Sequence, residues 1–229
     1  MIARRRDGGP TELPFWLWFG ALVVLGLLFT ALYLDRQATL VPADPPSAAQ
    51  IAELHRRLDD LQRQSDELGR RIQEDIDALQ LRQRMMERAR AAGTDPSLVD
   101  YAWEQAVAYG VNPLVYVKQI DHESGWDAKA INYNDDATFD SNLPQINSET
   151  WPWLAEALHL TDIRDPKQAI RAGAYYMAVK LRENGGDYER ALGAYNRGDH
   201  GMRVWIASRG TARTPYSAAI LQEAGNLAR

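Results

Sequence analysis

Cysteine is absent from the 229 residues. That excludes a disulfide framework and any thiolate metal site, and leaves the redox character of the compartment open. Histidine is scarce, with its four copies scattered at positions 55, 122, 159 and 200. Basic charge is in deficit, 26 Lys and Arg against 31 Asp and Glu, and neither half of the chain gathers a basic face, so nucleic acid is not an expected partner. Charge is missing altogether from residues 15–34, FWLWFGALVVLGLLFTALYL.

Twenty uncharged residues are the length a helix needs to cross a hydrocarbon core of ~30 Å. Trp16 and Trp18 at one end and Tyr33 at the other suit the interfacial belt, and Arg4, Arg5 and Arg6 place residues 1–14 on the cytoplasmic side. A cleaved signal peptide would have an apolar core of only about 7–15 residues and a small-residue cleavage site. The expectation is a retained transmembrane helix over 15–34, a single span with everything after Asp35 outside. Residues 35–48, with three prolines, read as a linker.

Residues 49–91 read as a coiled-coil helix. Ile51, Leu54, Leu58, Leu61, Leu68 and Ile72 keep a 3-4 spacing, with Ser65 in one seam position. After Ile72 the stripe resumes at Ile76, Leu79 and Met86, a shift of four that locally unwinds a supercoil. The expected object is a rod of ~60 Å, at about 1.5 Å per residue, pairing with a copy of itself or with a partner. The alternative is a single helix folded back on the domain that follows.

That domain, 93–229, has its own character, holding five of the seven Trp and nine of the ten Tyr. Helical periodicity recurs over 97–109, 113–122, 149–158, 167–184 and 187–195, punctuated by Asn112-Pro113, Asp165-Pro166 and Gly185-Gly186. No alternating strand run of useful length is present. The expectation is an all-α fold with one long irregular loop from Asp127 to Ser148.

Residues 119–127, QIDHESGWD, raise the question of what Glu123 does. An HExxH zinc helix needs a second His at position 126, which is Trp. Asn132, Asn134 and Asp136 have the spacing of a calcium loop, but Ala137 stands at the turn glycine and Leu143 at the bidentate Glu. No metal and no cofactor is expected, and no G-x-S-x-G elbow marks a nucleophile. Glu123 remains as a general acid, which needs its pKa raised by burial against apolar surface. Trp126, Leu143, Ile146 and Tyr195 are candidates to supply that surface. Two-carboxylate glycosidases require a second acid. Asp121, Asp127, Asp135, Asp136 and Asp140 are near in sequence, and spacing singles out none.

The runs VNPLVYVKQIDHESGW at 111–126, SNLPQINSETW at 141–151, RAGAYYMAVKLRENGGDYERALGAYNRG at 171–198 and TPYSAAIL at 214–221 together resemble the catalytic domain of lytic transglycosylases of the soluble-transglycosylase (SLT) type, similar in fold to goose-type lysozyme. The resemblance covers about residues 95–222. Its first motif is Glu123-Ser124 and its third, Ala-Tyr-Asn, is intact at 194–196. The second, usually Gly-Leu-Met-Gln, is Asn142-Leu143-Pro144-Gln145 here.

The resemblance implies a lysozyme-like fold and cleavage of the β-1,4 bond between N-acetylmuramic acid and N-acetylglucosamine in peptidoglycan. Glu123 would protonate the leaving oxygen and then take the proton of the sugar's own 6-hydroxyl as a 1,6-anhydro ring closes. Tyr195 would reach towards Glu123 and orient it. Ser124, Gln145, Asn147 and Asn196 would bind sugar or position the loop, and Trp126, Trp151 and Trp153 offer faces for sugar rings. Asn142 tolerates the positive φ of the glycine it replaces. Pro144 removes a backbone N–H and a flexible thioether, which alters the cleft wall there. The implied location is a bacterial inner membrane, with the N-terminus cytoplasmic and the catalytic domain outside. Two alternatives stand: a goose-type muramidase that activates water through Asp135, Asp136 or Asp140, and a non-catalytic wall-binding scaffold acting through its coiled coil.

Overall fold

In a computed structural model that describes residues 25–30 and 46–224, the punctuation read from the sequence falls where the chain turns. The chain divides at Ser65 into two units. In the first, residues 25–30 are helical, with Leu25, Leu27, Leu28 and Phe29 exposed. The rest of the expected span, the N-terminus and most of the linker lie outside the described residues. Among the described residues no helix is long and apolar enough to cross a membrane. Helix α1, Ala48–Ala91, opens with a reciprocal capping box: Ser47 N–H donates to Gln50 Oε1 at 2.8 Å and Gln50 N–H to Ser47 Oγ at 3.3 Å. Arg57 pairs with Glu53 at 2.9 Å, one turn back.

The second unit, from Asp66 onward, holds the rest of the fold. After α1 come α2 (Ser97–Ala108), α3 (Pro113–Ser124), strands β1 (Ile131–Tyr133), β2 (Phe139–Ser141) and β3 (Ile146–Asn147), then α4 (Trp151–Leu158), α5 (Pro166–Glu183), α6 (Tyr188–Arg209) and α7 (Pro215–Ala224). Asn112 caps α3 by accepting from Leu114 N–H at 2.9 Å, with Pro113 in the first turn where a missing donor does no harm. Asp165 caps α5 in the same way through Gln168. Every residue of α3 from Leu114 to Asp121 is buried, because α2 packs on one side of it and α7 on another. Lys118 and Asp121 survive that burial as an ion pair of 2.9 Å, which Arg88 of α1 joins at 2.6 Å.

Three expectations need correction. First, the domain does not begin at residue 93. Leu81, Met85 and Ala89 of α1 are at most 2% exposed and belong to the main core, so the last turns of the helix are domain, not rod. Arg82 also pairs with Asp100 of α2 at 2.6 Å. The seam residues Ile51, Leu54, Leu58, Leu61, Leu68, Ile72, Ile76 and Leu79 are all exposed.

Second, the stretch 127–148 is not irregular throughout. It carries a small antiparallel sheet in the order β1-β2-β3, with Asn132 opposite Asp140 and Asp140 opposite Asn147. Strands of two and three residues are too short to print an alternation. Third, α6 continues past 195, bending at Gly198, whose φ of 69° and ψ of 165° fall in a region that only glycine visits readily.

Candidate active site

Glu123 sits in the last turn of α3, where Gly125 closes the helix in the left-handed region at φ 59°. The end of the helix thus presents its carboxylate to a cleft of about 530 Å³. One side of the cleft is the small sheet and its turns, with Asn132, Asn134, Asp136, Thr138 and Asp140. The other is the bend of α6, with Tyr195, Asn196, Arg197 and Gly198.

Burial pushes Glu123 up from its ordinary 4.5 to about 7; a hydrogen bond from Tyr216 pulls the other way and the charge of Asp140 adds to the rise. Tyr216 Oη donates to Glu123 Oε1 at 2.5 Å from the first turn of α7. The same ring meets His122 edge-on, centroids 5.1 Å apart, and its own phenol is pushed well up by burial. A carboxyl near 7 is half protonated at neutral pH, so it can give a proton and later take one.

Tyr195, expected to orient Glu123, does not bond to it. Its hydroxyl donates to the carbonyl of Pro144 at 2.9 Å. Tyr216 holds the position expected of Tyr195. The sequence offered only the TPYSAAIL run as a signal for it, since 93 residues separate donor and acceptor and no local spacing links them. Tyr195 still lines the cleft, with Tyr176 at 4.9 Å between ring centroids.

Gln145 and Asn147 reach the cleft with amides already engaged. Gln145 donates to the carbonyls of Ala130 and Asn142 and accepts from Asn132 at 2.7 Å. Asn147 donates to Thr138 and to Asp140, the latter at 2.9 Å. Both therefore hold the shape of the sheet side. Asn196 lines the cleft exposed. Ser124 is turned away from it, its hydroxyl donating to the carbonyl of Ile120 in its own helix at 3.2 Å.

The expected aromatic faces are also placed differently. Trp126 is fully buried in the core at a positive φ of 68°. Trp151 packs on a second small core. Trp153 leans on Tyr175 and Tyr176 at 5.9 and 6.1 Å, off the cleft. Of the apolar surface expected around Glu123, Ile146 and Tyr195 share its cleft while Leu143 joins the core.

The two departures in the second motif have structural counterparts. Asn142 takes a φ of 67°; its side chain accepts from Leu143 N–H at 2.7 Å and donates to the carbonyls of Ile163 and Arg164. Pro144 turns its ring to Gly173 of α5, where an added Cβ would come within 2.6 Å of Pro144 Cβ and of Tyr116 Oη. The ring is thus core, and only the carbonyl faces Tyr195.

Lys180 completes the support of the α6 side. It is 5% exposed, pairs with Asp199 and Glu183 at 2.9 Å each and lies 5.3 Å over the Tyr176 ring, so α5 holds the segment just past the bend.

A family model described as Transglycosylase SLT domain matches residues 100–216, a little over half of the chain. The match runs from within α2 through α6, with the whole small sheet, to Tyr216 at its last position. No solved structure matches the chain significantly. With Glu123 at the floor of a cleft inside the matched segment, the chain belongs to the SLT transglycosylase family, enzymes of the lytic transglycosylase type acting on peptidoglycan.

Proposed function

We propose that Glu123 is the sole catalytic carboxyl of a membrane-anchored lytic transglycosylase. The observation that carries the reading is the carboxyl itself, raised to about 7 and bonded to Tyr216 at the floor of the cleft. In the first step its proton goes to the glycosidic oxygen, the C1–O bond of the muramic residue breaks, and the leaving N-acetylglucosamine departs with a free 4-hydroxyl. Positive charge develops at C1, which the substrate's own acetamido group stabilises. In the second step the carboxylate takes the proton of the 6-hydroxyl as O6 bonds to C1, closing the 1,6-anhydro ring and returning Glu123 to its starting form. No water is consumed. Tyr216 donates to the carboxylate between the two steps, when the negative charge is at its fullest.

A second reading is favoured by the acids on the sheet side. Asp136 and Asp140 line the same cleft, and either could activate water in a muramidase. Product chemistry separates the two. The full chain, incubated with peptidoglycan sacculi beside its Glu123→Gln variant, should release fragments ending in 1,6-anhydro-muramic acid that vanish with the variant. Reducing ends in their place would establish hydrolysis, and no Glu123-dependent release would leave a wall-binding scaffold.

The remaining parts fit a tethered enzyme. The uncharged run at 15–34 supports a single span with the catalytic unit outside the inner membrane. The exposed stripe from Ile51 to Leu79 supports pairing of α1 with a second copy through a coiled coil. Sedimentation of the chain from residue 46 onward would give a dimer that Leu58→Glu and Leu61→Glu together dissolve. A monomer before substitution would remove the coiled-coil part of the proposal.

A further inference from the structure

Charge in the cleft is divided by side. Glu123, Asp136, Asp140 and Glu149 line it as carboxyl groups, and Arg197 is the one Lys or Arg among the described lining residues. Asp136 accepts from the backbone N–H and hydroxyl of Thr138, and Asp140 accepts from Asn134 and Asn147. These acids are bound into their own turn.

Arg197 is exposed, and no carboxylate of the described residues lies within ion-pair distance of it. Its guanidinium lies instead over the ring of Trp205, 4.7 Å from the centroid, and Arg209 takes a place 5.3 Å from the same centroid. Stacking on an indole orients a guanidinium by its face and leaves the N–H donors along its edge free. The bend at Gly198 immediately after it brings this residue to the cleft.

We propose that Arg197 is a specificity-determining residue that binds a carboxylate carried by the muramic residue of the glycan strand. The inference rests on the transglycosylase reading for its substrate class. The N-acetylated sugar rings of such a strand are neutral, so a cation in the cleft meets an anion only on the lactyl side chain. That anion is an acid of the attached stem peptide, or the lactyl carboxylate itself once the peptide has been removed. The acids opposite repel either one, so the strand lies with its lactyl side towards α6. A planar guanidinium suits a bidentate carboxylate, which a lysine at this position would match only as a point charge.

The test is equilibrium binding to the full chain carrying Glu123→Gln, so that no strand is consumed, with and without Arg197→Ala or Arg197→Lys. Three ligands of equal length are compared: stem-bearing glycan fragments, fragments stripped of peptide by an amidase, and N-acetylglucosamine oligomers that carry no carboxylate. At low salt Arg197→Ala should weaken a carboxylate-bearing ligand about three- to tenfold, Arg197→Lys should restore part of it, and the neutral oligomers should bind within about twofold of the parent. The difference should shrink as salt approaches about 1 M. An effect confined to stem-bearing fragments identifies the peptide acid, and one confined to stripped fragments identifies the lactyl carboxylate. Equal weakening of all three ligands, or none on either carboxylate-bearing one, overturns the proposal. Because binding is read without turnover, this result stands apart from the test of anhydro products by the active chain.

Discussion

Removing the hydroxyl of Tyr216 should raise the pKa of Glu123, and removing the charge of Asp140 should lower it. The carboxyl stands at about 7 against an ordinary 4.5, a difference of roughly 3 kcal/mol at about 1.4 kcal/mol per pH unit. Burial supplies the rise, Tyr216 opposes it by donating to the ionised form, and Asp140 adds like-charge repulsion. A hydrogen bond to a charged acceptor is worth about 1.5–3 kcal/mol. With water admitted by the smaller side chain, Tyr216→Phe should move the carboxyl up by about one unit, and Asp140→Asn should move it down by up to about one.

The assay is the pH dependence of kcat/KM for release of soluble fragments. Its high-pH limb follows loss of the acid form of the free enzyme. The parent limb should fall near pH 7, the Tyr216→Phe limb near 8 and the Asp140→Asn limb below 7. The Tyr216→Phe variant should also lose kcat about tenfold, because the carboxylate formed after the first proton transfer no longer has its donor. A limb that stays in place or moves down in Tyr216→Phe would refute the assignment of Tyr216 as the group that stabilises the ionised form.

Three further outcomes follow from the same structure. Glu123 has a folded pKa above its unfolded value, so its contribution to stability is full below about pH 4.5 and is lost as pH rises through about 7; Glu123→Gln should match the parent in urea melts at pH 4.5 and exceed it by up to about 3 kcal/mol at pH 8. Met85→Ala, at a site 2% exposed in the main core, should cost about 2–4 kcal/mol by urea denaturation, where a spacer residue would cost almost nothing. Gly198→Ala meets no atom within 4 Å but keeps a φ of 69°; its cost of about 1–3 kcal/mol is backbone strain alone, and it should weaken binding of carboxylate-bearing strands by displacing Arg197.

Local chemistry in the sequence was enough to locate most of the helices. Asn112-Pro113 and Asp165-Pro166 carry the cap and the first turn within two residues, so α3 and α5 begin where the sequence places them. Glu123 was legible through its neighbours in the motif. Its hydrogen-bond donor was not, because Tyr216 arrives from α7, which carried no strong periodic signal of its own, and the choice between it and Tyr195 depends on how α6 and α7 pack. Ser124 illustrates the reverse error: adjacency to Glu123 in sequence turns it about 100° round the helix, and its hydroxyl finds the carbonyl of Ile120 instead.

The helix α1 shows most clearly what a one-dimensional pattern hides. A single stripe interrupted by a shift of four was the sequence reading. There are two stripes. Leu68, Ile72, Ile76 and Leu79 are exposed, while Leu81, Met85 and Ala89, spaced by four, are buried in the core. From Leu79 to Leu81 is about 200° of rotation at 100° per residue, so the buried stripe starts nearly opposite the point where the exposed one ends. The shift of four between Ile72 and Ile76 lies within the exposed stripe, and the helix passes to a face owned by the catalytic domain only after Leu79. Arg88, seven residues past Leu81, then reaches Asp121 at 2.6 Å, two residues before Glu123 on the same helix. The final turns of α1 are therefore part of the scaffold that places Glu123, and cutting the chain at residue 93 would remove Leu81, Met85, Ala89 and Arg88 together.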